Sequence, residues 1–145
     1  MSIRTESVTF EGASAKPVTV QVQLAGGTPT FVVVGLADKA VAESRERVRA
    51  AFAAIGLSLP SKRLIVNLAP ADQPKEGSHF DLPIAMGLLS ALGVLPPDIL
   101  EDHLAMGELG LDGSLAATPG ALPAAMLAQE RDKAFICPEA CGPEA

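Results

Sequence analysis

The chain has 145 residues, 48% hydrophobic and 19% charged. That balance fits one globular domain burying roughly 70% of its unfolded surface, and excludes a disordered chain. No apolar run reaches the ~18 residues of a membrane span, and Glu6 and Glu11 spoil a signal peptide, so a cytoplasmic protein with no membrane partner is expected. Five Phe and no Trp or Tyr argue against stacking platforms for single-stranded nucleic acid. The charge is uneven: residues 1–75 sum to +3 and residues 76–145 to −9. The basic half could face an anion or acidic partner, or the charges could solvate separate surfaces.

In chain order, residues 6–11, 17–24 and 29–35 read as strands. Val18, Val20, Val22 and Leu24 alternate with polar residues, as on a half-buried strand. Gly26-Gly27 is a turn, and the continuous run Phe31–Val34 suits a central strand. These three elements predict an antiparallel meander. Asp38 is a plausible N-cap of a helix carrying Val41, Val48, Phe52 and Ile55 on its apolar stripe, with Gly56 at C′. Glu43 and Arg47 stand at a supportive i,i+4 spacing. Arg45 and Arg49 lie close to one face, where they could grip phosphate or a neighbouring subunit's carboxylate, or be solvated helix charges.

A buried strand over Leu64–Leu68 is followed by a Pro/Gly loop and a helix from Phe80 to Leu92 that is apolar almost all round, hence internal. Polar residues concentrate in the loop and the helix's first turn. Ser78 reads as the helix N-cap, with Asp81 completing a capping box; a Ser–Lys dyad with Lys75 or Lys62 is the sharper alternative. Pro96-Pro97 breaks the chain. Strands over 104–110 and 113–118 meet at Asp112-Gly113, a helix spans 120–129, and Ala134–Cys137 is the last strand. The sum is an α+β domain, a mixed sheet with packed helices. The open ending suggests a single domain, residues 1–145, cut from a longer protein.

Several chemistries lack their residues. There is no Walker A string and no Gly-x-Gly-x-x-Gly. His79 and His103 are far apart in sequence, and His79 with Asp81 is not a metal site. Cys137 and Cys141 cannot close a zinc site alone and are read as packing residues or bystanders.

Residues 34–50 (VGLADKAVAESRERVRA), 61–85 (SKRLIVNLAPADQPKEGSHFDLPIA), 107–115 (GELGLDGSL) and 119–123 (PGALP) closely resemble the N-terminal domain of the YifB/ComM, magnesium-chelatase-like AAA+ ATPases. The match runs in order through essentially the whole chain. The resemblance implies a fold like the Lon proteolytic domain and the C-terminal domain of RadA, a ribosomal-protein-type two-layer fold. It implies an AAA+ domain following this one as partner, with ATP and Mg used there and no cofactor here. It also implies a hexamer and DNA processing, namely branch migration in natural transformation. In register with Lon, the protease nucleophile falls on His79, with Ser78 one place early, and the catalytic lysine falls on Leu122. A leucine cannot accept a proton, so a non-catalytic module is expected. Its interface or nucleic-acid candidates are Arg45, Arg49, Lys62, Arg63 and Lys75, with Lys75 and His79 making the central loop a contact surface. The alternatives are an altered serine hydrolase using Ser78, His79 and Asp81, and chelatase-type metal insertion.

Overall fold

The computed structural model describes residues 2–145. Strands β1 (Ser2–Glu11) and β2 (Ser14–Ala25) form a long hairpin. β3 (Thr30–Val34), helices α1 (Lys39–Ala42) and α2 (Ser44–Ala54), and β4 (Arg63–Ala69) follow. Then come α3 (Asp81–Ala91), α4 (Pro97–Glu101), β5 (His103–Ala105), β6 (Glu108–Leu109), β7 (Leu115–Ala116), α5 (Ala121–Glu130) and β8 (Ala134–Ile136). A 3-10 turn over Glu139–Cys141 ends the sequence of elements.

The main sheet has the order β3-β4-β2-β1-β5-β8, with β1/β2 and β2/β4 antiparallel and the other pairs parallel. This is the α+β architecture, a mixed sheet with helices packed on it. The expected meander is corrected: β4 inserts between β2 and β3, so Phe31–Val34 forms an edge strand and not a central one. The physical reason is pattern matching at long range. Leu64, Val66 and Leu68 of β4 are buried on the same face as Val18, Val20 and Val22 of β2, with Val66 directly opposite Val22 and Leu68 opposite Val20. A parallel crossover through α1 and α2 then places β3 outside β4.

Strand alternation divides the apolar residues between two cores. The larger joins Val18, Val20, Val22, Leu64, Val66 and Leu68 to Val48 and Phe52 of α2 and Ile84 and Leu88 of α3. The smaller joins Val8, Leu104 and Met106 to Ala124, Leu127 and Ala128 of α5. In β1, Ile3 faces the first core and Val8 the second, an odd–even switch that puts α5 on the opposite face of the sheet. Burying Ile84 and Leu88 completely contributes about 1.5–3 kcal/mol each. α3 comes so near the sheet that a Cβ on Gly87 would stand 2.6 Å from Val22 Cγ2.

Local signals hold at both ends of the first helical pair. The Asp38 carboxylate accepts from Val41 N at 2.8 Å. At the C-terminus, Gly56 N donates to Ala53 O at 3.1 Å and Leu57 N to Phe52 O at 2.9 Å, the paired bonds of a Schellman motif around Gly56, whose φ is 81°. Ile55, expected on the buried stripe, is exposed: α2 ends at Ala54, and Ile55 is the capping residue after it. The expected strand over 104–110 divides at Met106-Gly107: β5 joins the main sheet, and β6 pairs with β7 across the Asp112-Gly113 turn. Two short elements, α4 and the 3-10 turn, were not expected; each buries one residue, Leu100 and Cys141.

Candidate functional site

The loop before α3 is pinned by main-chain bonds. Lys75 N donates to Leu36 O and Asp38 N to Lys75 O, both at 3.0 Å, forming a parallel bridge between two turns distant in sequence. Gly35, just before the first of these turns, packs closely on β4: its φ is 115°, and a Cβ there would lie 2.2 Å from Leu68 O. The Lys75 side chain is inaccessible to solvent, and its Nζ donates to Pro70 O. Burial holds its ammonium below the ordinary lysine range, against the opposing pull of Asp72.

His79 is also buried, with its ring 5.6 Å from Phe10 and 4.3 Å from Phe80. Nε2 stands 2.6 Å from Val8 O. A carbonyl only accepts, so Nε2 carries the proton and donates, and Nδ1 is left on the Gly77 side. Burial pushes the imidazole below its usual value, outweighing the Val8 bond and the charges of Asp81 and Asp38. Lys75 therefore offers no side chain to a contact surface, because its loop folds over it, whereas His79, though 4% exposed, stands in the wall of a cleft.

The capping-box reading is also corrected. α3 starts at Asp81, its N-cap is Phe80, and no side chain caps it. Ser78 is half-buried in the preceding turn, where its O accepts from Asp81 N at 3.3 Å. Asp81 does something else. Its carboxylate, inaccessible to solvent, accepts from Arg47 Nε at 2.6 Å, Arg47 Nη2 at 3.1 Å and Leu109 N at 3.0 Å. Arg47 Nη2 also donates to Ala40 O at 2.7 Å. One ion pair thus ties α1, α2, α3 and β6 together. The hydrogen bond it donates to Asp81, more than any other interaction, raises the Arg47 guanidinium above its ordinary value. Arg47 turns to Asp81 and not to Glu43, because a buried carboxylate outcompetes a solvated one at i−4.

A cleft of about 350 Å³ is lined by Ser78 and His79 on one wall and Thr118 and Pro119 on another. Leu122 lies just beyond Pro119, exposed at the start of α5, and its N–H donates to the Glu144 carboxylate at 2.9 Å. The fold thus brings the segments of the two protease-equivalent positions to one cleft without a nucleophile–base pair. Asp81 gives its oxygens to Arg47 and Leu109, and His79 is bound through Nε2 to Val8 O, which leaves Nδ1 as its only basic nitrogen.

The surface cations gather elsewhere, along β3. Arg49 sits over the Phe31 ring, 5.9 Å from its centroid. Arg49 and Lys62 line one cleft of about 180 Å³, with Thr30, Phe31 and Pro60 among its walls. Arg63 is exposed directly opposite Thr30 in the β3–β4 register. Arg45 is half-buried and donates to Ala42 O at 3.1 Å and Phe31 O at 3.4 Å, which covers part of the free strand edge. Among the described residues, no salt bridge joins Arg45, Arg49, Lys62 or Arg63 to a carboxylate. Lys75 is the one predicted cation absent from this group.

Sequence reasoning missed two ionic clusters: Arg47–Asp81, and the buried Glu6 with Arg131 and, at 3.4 Å, Lys133. The partners are separated by 34 and 125 residues, and only the uncommon placing of Glu6 within a strand hinted at either. Among the described residues, no three His, Cys, Asp or Glu side chains are grouped to hold a metal ion, and no helix is long and apolar enough to cross a membrane. Cys141 is buried and its Sγ donates to Thr118 O at 3.6 Å. Burial, reinforced by the neighbouring Cys141, pushes the Cys137 thiol up.

Residues 20–141 match the family model described as subunit ChlI of Mg-chelatase. The chain is 42% identical to the protein YifB of Escherichia coli over 125 residues, covering 86% of this chain and 25% of the relative. It is 44% identical to the competence protein ComM of Haemophilus influenzae over 125 residues, with the same coverages of 86% and 25%. An uncharacterized protein of Mycobacterium tuberculosis is 42% identical over 144 residues, 98% of this chain and 28% of the relative. The chain thus spans about a quarter of the length of the curated relatives it matches.

Proposed function

Because the chain belongs to the magnesium-chelatase-like YifB/ComM family, we propose that it is the non-catalytic N-terminal module of an AAA+ DNA-processing protein, serving DNA contact and ring assembly. The observation that carries this reading is the cation group along β3. Arg49 and Lys62 line one cleft, Arg63 stands beside them, and no carboxylate neutralises them among the described residues. A duplex backbone offers the regular phosphates such a group would meet, and each phosphate neutralised releases counterions. ATP and Mg belong, on this reading, to the ATPase part of the longer protein, and hexamer formation to the whole.

Burial weighs against a hydrolase: it disfavours the imidazolium that His79 would form on accepting a proton at Nδ1, and the fully buried Asp81 would have to abandon Arg47 to take part. Chelatase-type insertion would need a donor cluster for the metal or a binding site for the porphyrin. The test is binding of a duplex oligonucleotide by the chain across a salt series. Salt-sensitive binding weakened by Arg49→Ala and Lys62→Ala supports DNA contact. No binding at low salt removes it and leaves assembly, read from the sedimentation of the full-length protein with ATP.

A further inference from the structure

Helix α5 is apolar on sides where a surface helix carries polar residues. From Ala121 to Ala128 it has no polar side chain, and Gln129 and Glu130 come only at its end. A helix apolar all round belongs between two layers. α3 is placed so, and eight of its eleven residues are buried. α5 is covered on one side only. Ala124, Leu127 and Ala128 pack in the smaller core with Val8 and Leu104. Leu122 and Met126, one turn apart, are 48% and 56% exposed. Among the described helices, α5 alone contributes to that core, while α1 to α4 supply Val41, Val48, Ile84 and Leu100 to the larger one. Met126 and Pro123 also border a depression of about 200 Å³ shared with Ala13 and Ala15 of the β1–β2 hairpin, with Glu130 at its edge. Large apolar side chains grouped on one exposed face, with polar residues at the rim, mark an interaction surface.

The path of the chain points to the occupant. After β8, the 3-10 turn buries Cys141, whose Sγ donates to Thr118 O. The Glu144 carboxylate then accepts from Leu122 N at 2.9 Å. The residues after β8 thus return to the N-terminal end of α5, beside the exposed face. This chain covers 25% of YifB and of ComM, and in an N-terminal module the remainder follows it. A segment tethered so near meets the face at high effective concentration, so a patch too small to hold a free partner suffices.

We propose that the outer face of α5, centred on Leu122 and Met126, is the docking surface for the chain that follows residue 145 in the longer protein. The inference rests on the reading of this chain as an N-terminal module and adds the surface through which the two parts meet.

Met126 is its own reporter, since hydrogen peroxide oxidises a thioether at a rate that follows exposure. The 145-residue chain and the full-length protein are oxidised in parallel, and the peptide containing Met126 is followed by mass spectrometry. Met126 is expected to oxidise roughly fivefold more slowly in the full-length protein, while the buried Met86 and Met106 stay slow in both. Leu122→Gln in the full-length protein raises the Met126 rate toward that of the short chain. In the short chain the same substitution, at an exposed position, leaves the melting temperature unchanged. Equal Met126 rates in the two proteins would overturn the proposal, as would protection that survives Leu122→Gln undiminished. Protection of the short chain that grows with its own concentration would overturn it too, since a second copy would then be the occupant. The intact mass and ATPase activity of the full-length protein test the module reading separately. A long, ATP-hydrolysing protein with an unprotected Met126 contradicts this inference alone.

Discussion

Replacing Asp81 by Ala removes the acceptor shared by Arg47 and the Leu109 N–H. The pair is asymmetric in exposure: the Asp81 side chain has 0% of its surface accessible and Arg47 19%. Breaking a buried pair from one side costs about 3–5 kcal/mol, since a charge and a main-chain donor are left without their partner. Arg47 still reaches water and Ala40 O, which places the cost near the lower bound, about 3 kcal/mol. At about 2.1 cal/mol/K of unfolding entropy per residue, the melting temperature of a chain of this length falls by roughly 10 °C. The double variant Arg47→Met, Asp81→Leu removes both charges together and recovers part of that stability, because apolar groups of similar size substitute well for a buried pair, while the Leu109 N–H still lacks its acceptor. Thermal unfolding followed by circular dichroism, with urea titrations to check the slope, measures both. A cost below about 1 kcal/mol for Asp81→Ala, or a double variant no better than the single one, would refute the assignment of this pair as the tie between α2, α3 and β6.

Three further outcomes follow from single sites. The buried His79 binds its proton less readily folded than unfolded. The unfolded state therefore takes up more protons below its pKa of about 6.5. Stability is full above neutral pH and falls as pH drops through 6.5, and His79→Phe removes that part of the pH dependence in urea titrations. Gly35→Ala, with a Cβ 2.2 Å from Leu68 O at φ 115°, costs at least about 3 kcal/mol, whereas Gly56→Ala, in open space at φ 81°, costs about 1–2 kcal/mol from its left-handed conformation alone. Cys137 reacts more slowly with iodoacetamide near neutral pH than the thiol of an unstructured peptide, because its raised pKa leaves less thiolate.

What the sequence revealed was local. The all-round apolarity of 80–92 announces a buried helix, and eight of the eleven residues of α3 are buried. The alternation in 17–24, the Asp38 cap, Gly56 at C′ and the Asp112-Gly113 hairpin are each contained in a few neighbouring residues. The misreadings concern pairings over long separations. Phe31–Val34 looks central because it is apolar, yet Val34 is 43% exposed at the sheet edge, since β4 fits β2 better than β3 does. Ser78 and Asp81 have the spacing of a capping box, but nothing nearby in sequence announces that Arg47 claims Asp81. Lysine is so rarely buried that Lys75 reads as a surface cation; its place inside follows from the 36–38 turn closing over it.

The central claim is that the β3 cations, and not the loop before α3, meet DNA. It is tested most directly by the slope of log binding constant against log salt for a duplex oligonucleotide. Arg49→Ala and Lys62→Ala should each reduce that slope by about 0.9 for every phosphate no longer neutralised, and Lys75→Met should leave it unchanged. A slope insensitive to Arg49 and Lys62, or one that falls as much with Lys75→Met, would contradict the account.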